Sequence, residues 1–400
     1  MRLVFADDRE RGHLFPFTFT RPVADLRCGI LTLREKWELV LGSAPESSGY
    51  LTVDYLRRQY PVPANGPSMI INGALFPDAD LVKSIRDLEP GTMLVHGNRV
   101  LALNSMGFDM SNTPVIDEIV GLHQVEYTGA PVFLNRIWDL FRLNDQALRA
   151  DYELLTKGRE SQPFSSSNRI VNPENVFVEP GARVECAMIN ASTGPVYIGR
   201  NAEVMEGAMI RGAFALCQDA VLKMGAKVYG ATTIGPGCKV GGEVSNSVMM
   251  GNSNKAHDGF LGNSVIGEWC NLGADTNNSN LKNNYSEVRV WNYPASDYVP
   301  TGLQFCGLFM GDHSKCSINT MFNTGTVVGV FSNIFGAGFP PKHLPSFSWG
   351  SDGKGEVFLV TKAIELAERV MSRRGQTLTD AQKDIIGHLY LMQLQPKAED

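Results

Sequence analysis

The sequence has no long apolar run, no basic tract and no closely spaced cysteine pair, and each absence excludes a class of protein. No stretch of about 18 apolar residues occurs, so we expect no membrane-spanning helix and no membrane partner. The formal net charge is −6 and no segment is rich in Lys and Arg, which argues against a nucleic-acid partner. None of the seven cysteines forms a CxxC pair, so we expect reduced, mostly buried thiols.

The N-terminus also lacks the pattern of a signal peptide, because Asp7 and Asp8 interrupt it before an apolar segment can develop. We therefore expect a cytoplasmic protein. A chain of 400 residues is too long for one ordinary core, and at least two domains are predicted.

A six-residue repeat occupies the middle of the chain. Between 198 and 245 the first residue of each hexad is aliphatic and the fifth is mostly small. The first residues are Ile198, Val204, Ile210, Leu216, Leu222, Val228, Ile234 and Val240. Neither a helix nor an alternating strand has a period of six, whereas the coils of a hexapeptide β-helix do. The repeat predicts a parallel β-solenoid whose aliphatic ladder points inward.

The repeat has breaks, and they locate the unusual segments of the solenoid. It begins near Val178, shifts by two residues after Val240, is lost in the polar stretch 282–299, and returns from Met310 to Ile334. After the shift, the predicted inward residues are Val248, Asn254, Phe260, Ile266 and Leu272. We expect the polar stretch to leave the solenoid as a two-stranded flap.

Segments on either side of the repeat predict an α/β domain before it and helices after it. Residues 1–160 alternate short apolar strands with amphipathic helices, which favours a small α/β domain ending in a connecting helix. A polar, Ser-rich stretch at 161–168 is the expected linker, so the solenoid is placed at 168–350. Residues 351–400 should form helices that cap the last coil. The predicted fold class is α/β plus β-solenoid.

The most unusual interruption of the ladder contains a histidine. Segment 251–262 is polar and Gly-rich, and it holds His257. Histidine suits general-base catalysis because its side chain titrates close to neutral pH. From position alone, a polar turn residue is the favoured interpretation of His257, and the catalytic role is the alternative that remains open.

The residues around His257 resemble a motif of a known family. Segment 255–267, followed by Asn271 to Ala274, is similar to the acetyltransferase half of the bifunctional enzymes that make UDP-N-acetylglucosamine. These enzymes join a sugar-1-phosphate nucleotidyltransferase to a glucosamine-1-phosphate N-acetyltransferase. The resemblance implies a left-handed β-helix, a homotrimer, acetyl-CoA as cofactor and an acyl site between subunits.

The same resemblance implies roles for individual residues. His257 matches the general base, and Asn280 matches the residue that orients the base. Ala274 lies where a backbone group helps to hold the thioester. The residues implied to contact the sugar substrate are Phe260, which replaces a family tyrosine, Asn271, and Lys282, which would substitute for a family lysine that is absent near Asn246.

The N-terminal region resembles the partner half of these enzymes. Segments 21–27 and 32–37 are similar to the start of a sugar nucleotidyltransferase in a compact bacterial branch. The usual Gly-rich phosphate loop is replaced by residues 7–12, which contain one glycine. The side chains implied to contact phosphates are Arg9, Arg11, Arg21 and Lys36. Asn72 and Gly73 stand where the family has a metal-binding Gly-Asp, so the sequence identifies no metal ligand.

Two classes of function follow from these patterns. The first is an enzyme of nucleotide-sugar synthesis that uses a sugar phosphate, a nucleoside triphosphate and acetyl-CoA, with Mg²⁺ if the nucleotidyltransferase half is active. It would be a transferase that joins nucleotidyl and N-acetyl transfer. The second is a non-catalytic, trimeric sensor of nucleotide sugars. A nucleotidyltransferase for another sugar or base, such as a glucose-1-phosphate thymidylyltransferase, is a further alternative.

Overall fold

A computed structural model describes residues 2–62, 66–107, 115–350 and 356–394. It contains an N-terminal α/β domain, a three-sided parallel β-solenoid and two C-terminal helices. The predicted fold class, α/β plus β-solenoid, is confirmed. No helix in these ranges has the length and hydropathy that a membrane span requires.

The N-terminal domain is built on a mixed sheet with helices α1 (Leu33–Leu41) and α2 (Ala79–Arg86). Its strands are β1 (Leu3–Ala6), β2 (Gly49–Leu51), β3 (Ser68–Asn72), β4 (Thr92–His96), β5 (Arg99–Ser105) and β6 (His123–Glu126). They lie in the order β2-β1-β3-β5-β4-β6. Both helices pack on one face of this sheet. Helix α1 begins with a capping box between Thr32 and Glu35 and ends at Gly42, which has a left-handed conformation.

Two further helices, α3 (Asp139–Arg142) and α4 (Asn144–Thr156), connect this domain to the solenoid. Leu148 and Tyr152 of α4 pack against Phe177 and Tyr197 on the outside of the solenoid. The connecting helical segment is therefore part of the interface between the N-terminal domain and the solenoid.

Short strands make up the three faces of the solenoid. The first face is formed by β7 (Arg169–Val171), β10 (Met188–Asn190), β13 (Met209–Arg211), β16 (Lys227–Tyr229), β19 (Glu243–Ser245) and β22 (Phe260–Gly262). The second face is formed by β8 (Val176–Val178), β11 (Val196–Ile198), β14 (Phe214–Leu216), β17 (Thr232–Ile234), β20 (Val248–Gly251), β23 (Val265–Glu268), β28 (Leu308–Met310), β31 (Thr326–Val328) and β33 (His343–Leu344). The third face is formed by β9 (Arg183–Val184), β12 (Glu203–Val204), β15 (Val221–Leu222), β18 (Lys239–Val240), β21 (Asn254–Lys255), β24 (Asn271–Leu272), β29 (Lys315–Cys316) and β32 (Asn333–Ile334).

Two strand pairs stand outside these sheets. Strands β25 (Asn277–Asn278) and β30 (Met321–Phe322) pair in parallel. Strands β26 (Arg289–Asn292) and β27 (Asp297–Pro300) form an antiparallel hairpin, which is the predicted flap. The flap packs on the N-terminal domain through Val288 and Val290.

The predicted inward ladder is confirmed over the regular coils. Each of the eight first residues from Ile198 to Val240 is at most 3% exposed and belongs to the solenoid core. The residues predicted after the flap, from Met310 to Ile334, lie in the same core. Six of the seven cysteines are buried, as expected, and Cys186 is exposed.

The predicted frame is wrong by one residue in the coil that follows Val240. Met249, Lys255 and Leu261 face inward there, instead of Val248, Asn254 and Phe260; Ile266 and Leu272 agree with the prediction. On the third face Val240 pairs with Lys255, 15 residues on, whereas on the first face Val244 pairs with Leu261, 17 residues on. The two extra residues are therefore concentrated in the corner 256–259.

The N-terminal domain lies against the second face of the solenoid. The outward side chains Val248, Val265, Phe309 and Val327 form one buried cluster with residues of segment 14–33. At about 25 cal/mol per Å² of buried apolar surface, an interface of this kind favours one fixed arrangement of the two units.

The C-terminal helices are α5 (Val360–Ser372) and α6 (Asp380–Leu394). Helix α6 begins with a capping box, in which Gln382 N donates to Thr379 Oγ1 and Thr379 N donates to Gln382 Oε1. The helices cover Phe347 in the last coil and extend along the solenoid to Trp269. They join the solenoid to the N-terminal domain, where His388 stacks on Tyr55.

Candidate active site on the third face of the solenoid

A groove of about 700 Å³ lies on the third face, where the end of α5 rests against the solenoid. Its floor is formed by outward-facing residues of β18, β21, β24 and β29, which are stacked in register. They are Lys239, Asn254, Asn271 and Lys315. Its wall is the end of α5, with Val370 in the last turn and Arg373 and Arg374 directly after it. We call this feature the third-face groove.

Hydrogen bonds hold the wall of the third-face groove in place. Arg374 Nη2 donates to Asn254 Oδ1 at 2.9 Å, and Nη1 donates to the carbonyl of Gly237. Asn254 Nδ2 is 3.4 Å from Asn271 Oδ1 in the next coil. The shape of the groove is therefore set by contacts between the C-terminal segment and two successive coils.

The third-face groove is cationic. Its lining has no Asp or Glu among the described residues, and its four basic side chains form no ion pair with a described carboxylate. These four are Lys239, Lys315, Arg373 and Arg374. Burial lowers the pKa of Lys315 to about 8, although the nearby Cys270 thiol acts in the opposite sense. A bound phosphate would favour the charged form of that ammonium, because an opposite charge offsets desolvation.

His257 reaches this groove from the corner 256–259. Its side chain is exposed, and within the described ranges no hydrogen bond to its imidazole is found. Asn271 and Ala274 line the same groove. The Ala274 carbonyl accepts from Asn319 N at 2.8 Å, whereas no described group accepts from the Ala274 N–H. One possible base and one free backbone donor thus share a cationic groove.

Three residues implied by the resemblance lie outside the third-face groove. Asn280 Nδ2 donates to Asn263 Oδ1 at 2.7 Å and does not contact His257 within the chain. The ring of Phe260 lies beside Gly262 and Asn280, on the first face. Lys282 bonds within the flap excursion. The structure therefore brings His257, Asn271 and Ala274 together, and it separates them from the other three.

Two of the implied phosphate cations are buried in ion pairs of the N-terminal domain. Arg11 Nε is 3.0 Å from Asp7 Oδ2. Lys36 pairs with Asp151 of α4, and both side chains are almost fully buried. Burial raises the pKa of the Asp151 carboxyl, and Lys36 opposes that rise. Because these cations already have carboxylate partners inside the protein, we do not propose them as phosphate ligands.

Arg21 is also occupied, in this case by the solenoid. Its Nη1 lies 2.9 Å from Glu268 Oε1, and its Nη2 pairs with Asp312. Thr20 Oγ1 donates to the same Asp312 carboxylate at 2.6 Å. Arg21 therefore fixes the N-terminal domain to two adjacent coils, and this role differs from the one that the resemblance implies.

Arg9 is exposed and lines a separate crevice of about 600 Å³ at the carboxyl end of the N-terminal sheet. Three carboxylates line this crevice. Asp8 accepts from Asn72 Nδ2 at 3.0 Å and from Arg99 Nε at 2.8 Å, Glu10 pairs with Arg136 at 3.2 Å, and Asp117 accepts from Arg9 N at 2.9 Å. In the part of the chain that the structure describes, no group of three potential metal ligands occurs. These residues do not fit Mg²⁺, because arginines already pair with Asp8 and Glu10, and a backbone N–H occupies Asp117.

The basic residues of the third-face groove were missed in the sequence. A partial signal was present, because Lys239 and Lys315 each precede an inward residue of the repeat and must therefore share a face. Arg373 and Arg374 come from a helix end more than a hundred residues away from Lys239, and no local pattern connects them.

The fold defines a class of protein, a parallel β-solenoid of hexapeptide type joined to an α/β domain. Residues 3–160 match the family model described as sugar nucleotidyl transferase. That match agrees with the transferase class predicted from the sequence, and it identifies the N-terminal domain as similar to sugar nucleotidyltransferases. Among curated proteins, none matches this chain.

Solved structures with related folds include three acyl- or acetyltransferases. The UDP-N-acetylglucosamine acyltransferase of Francisella novicida has 12% identity and a TM-score of 0.27, over 53% of this chain and 71% of that chain. A putative acetyltransferase of Bacillus cereus has 9% identity and a TM-score of 0.21, over 57% and 96%. The polySia-specific acetyltransferase NeuO has 11% identity and a TM-score of 0.23, over 52% and 91%. Similarity at this level does not bear on the activity.

Proposed function

We propose that this protein transfers an acetyl group from acetyl-CoA to the sugar of a sugar phosphate or nucleotide sugar, with His257 as the general base. The observation that carries the proposal is the third-face groove, in which His257 and the Ala274 N–H lie among four cations without a carboxylate. The resemblance to the enzymes that make UDP-N-acetylglucosamine supports the choice of acyl donor and acceptor.

The chemistry of coenzyme A suits the third-face groove. Its nucleotide carries a diphosphate and a further phosphate, which together require several cations. Arg373 presents a guanidinium group, which can bind phosphate oxygens in a bidentate manner, and Arg374 adds positive charge while it holds the wall. The groove volume of about 700 Å³ falls within the range of ligand sites for molecules of moderate size.

The proposed reaction needs one proton acceptor and one oxyanion donor. The His257 imidazole removes a proton from the sugar amine or hydroxyl as that group attacks the thioester carbonyl. The carbonyl oxygen gains negative charge and accepts from the Ala274 N–H. The C–S bond then breaks, and the CoA thiolate takes the proton from the imidazolium. The products are the acylated sugar and free CoA thiol.

The proposal includes a homotrimer. Asn280 and Phe260 lie on the first face, next to the corner that carries His257, so a subunit packed there would be adjacent to both residues. The first face also exposes a series of large apolar side chains on successive coils. They are Val171, Met188, Met209 and Tyr229. Such a series supports packing against another protein surface.

The function is tested by incubating the protein with acetyl-CoA and a panel of acceptors, including glucosamine-1-phosphate and UDP-sugars. We expect stoichiometric release of CoA thiol and a sugar product heavier by one acetyl group. If CoA binds but no acceptor yields free thiol above the rate of hydrolysis, the proposal is refuted.

Arg373→Ala is expected to raise the KM for acetyl-CoA by about 10- to 150-fold and to leave kcat nearly unchanged, because a charged hydrogen bond to phosphate contributes about 1.5–3 kcal/mol. Steady-state kinetics and a CoA titration measure the change. Arg369→Ala is the matched control, since Arg369 lies on the same helix, is 77% exposed and pairs with Glu365. Equal effects of the two substitutions would contradict the assignment of Arg373.

For the N-terminal domain, the closed Asp8–Arg99 pair favours a second function, the binding of a nucleotide sugar without nucleotidyl transfer. A UDP-sugar should then bind with the same affinity in Mg²⁺ and in excess EDTA. Isothermal titration calorimetry measures both conditions, and the third-face groove can be excluded with the Arg373→Ala variant. An affinity that is lost in EDTA would show that a metal binds in this crevice after all.

A further inference from the structure

Lys255 has an unusual position inside the solenoid. Leu222, Val240, Lys255 and Leu272 occupy the same inward column on successive coils of the third face. Lys255 is 1% exposed, and its neighbours in the column are aliphatic. Lysine is rarely buried to this extent, because removing an ammonium from water is costly unless it gains strong partners.

The partners of Lys255 are two backbone carbonyls. Its Nζ donates to the carbonyl of Gly241 at 2.9 Å and to the carbonyl of His257 at 2.8 Å. No other described donor reaches either carbonyl. Burial lowers the pKa of Lys255 to about 8, while Asp258 and Asp275 oppose that shift.

The need for an ammonium comes from the shape of the corner. Between the third and first faces, the lower coil has only Gly241 and Gly242, whereas the next coil has the four residues 256–259. The longer corner lies directly on the shorter one: a Cβ on Gly242, at φ +72°, would be 2.8 Å from Asp258 Cα. The Asp258 and Gly259 carbonyls of the longer corner accept from Asp275 N and Glu243 N, whereas no described backbone N–H reaches the His257 carbonyl. A buried carbonyl without a donor is unfavourable, and Lys255 supplies that donor.

We propose that Lys255 is a positioning residue, which holds the corner 256–259 from inside the solenoid and so sets the direction in which the His257 imidazole projects. The catalytic consequence rests on the proposed acyl transfer, while the structural part does not. An apolar side chain would fill this column without the cost of a buried charge, so folding alone does not explain the lysine. The geometry points to the corner as the reason for it.

Lys255→Met tests the proposal, because methionine has a similar length and no donor. We expect amide hydrogen exchange at Glu243 and Asp275 to become about 10-fold faster or more, because these two N–H groups donate to the Gly259 and Asp258 carbonyls of the corner that Lys255 holds. We expect kcat to fall by about 100-fold, with KM for acetyl-CoA unchanged, since a base displaced by about 1 Å loses catalysis rather than substrate binding. Lys255→Gln retains an N–H donor, so its exchange rate and its kcat should both lie between those of Lys255→Met and the wild type.

Leu222→Met is the matched control, because it places the same side chain two coils away in the same column. It should change neither exchange at Glu243 and Asp275 nor kcat. If Lys255→Met leaves exchange at Glu243 and Asp275 unchanged, or if it speeds exchange throughout the solenoid to the same degree, the positioning role is wrong. An inactive wild type would refute the acyl transfer instead, and the exchange measurement would still decide the role of Lys255.

Discussion

His257→Ala is expected to reduce kcat for acyl transfer by about 10³-fold, because a positioned general base contributes about 10²–10⁴-fold. The dissociation constant of CoA should change by less than about 2-fold, since the four cations of the third-face groove remain. Thiol release and a CoA titration on the same preparation measure the two quantities. The result would separate a catalytic histidine from one that only shapes the corner.

The control for that substitution is His123→Ala, which removes an exposed histidine from strand β6 of the N-terminal sheet. It should leave kcat unchanged. Turnover by His257→Ala at the wild-type rate would remove the general base from the mechanism and favour the sensor. Loss of CoA binding in His257→Ala would show that the ring contacts the cofactor directly.

The regular part of the solenoid was predictable because it is periodic. A six-residue period specifies which side chains point inward, and the eight residues from Ile198 to Val240 are all in the core. The prediction erred by one residue at Lys255 because two additional residues are concentrated in one corner. A shift in frame can be read from a sequence, but the position of the added residues depends on the three-dimensional stacking of the coils.

The candidate site was predictable only in part. His257, Asn271 and Ala274 could be identified because they lie in the irregular coils, and the structure places them in one groove. The role of a cation could not be read in the same way. Arg21 was identified as a possible phosphate ligand, yet Glu268 and Asp312 hold it from adjacent coils. Such pairs depend on how the domains pack, which no local pattern records.

The buried pair of Lys36 and Asp151 carries the second large prediction. Asp151→Ala is expected to lower the free energy of unfolding by about 3–5 kcal/mol, because it leaves a buried ammonium without a counter-charge. It also removes the acceptor for Ile30 N at 2.7 Å and Leu31 N at 3.0 Å. Urea denaturation followed by circular dichroism measures the change. The affinity of the folded protein for a UDP-sugar should stay the same, because Lys36 is not at the surface.

Two comparisons make this prediction specific. Asp145→Ala breaks an exposed pair with Arg149 on the same helix, and it should cost only about 0.5 kcal/mol. The double substitution Lys36→Met with Asp151→Asn removes both charges and keeps an oxygen acceptor for Ile30 and Leu31, so it should recover most of the lost stability. If Lys36→Met instead weakens UDP-sugar binding while stability is retained, Lys36 is a phosphate ligand after all. The pair anchors α4, which packs on both the N-terminal domain and the solenoid. The loss of stability in Asp151→Ala should therefore affect the N-terminal domain and the solenoid together.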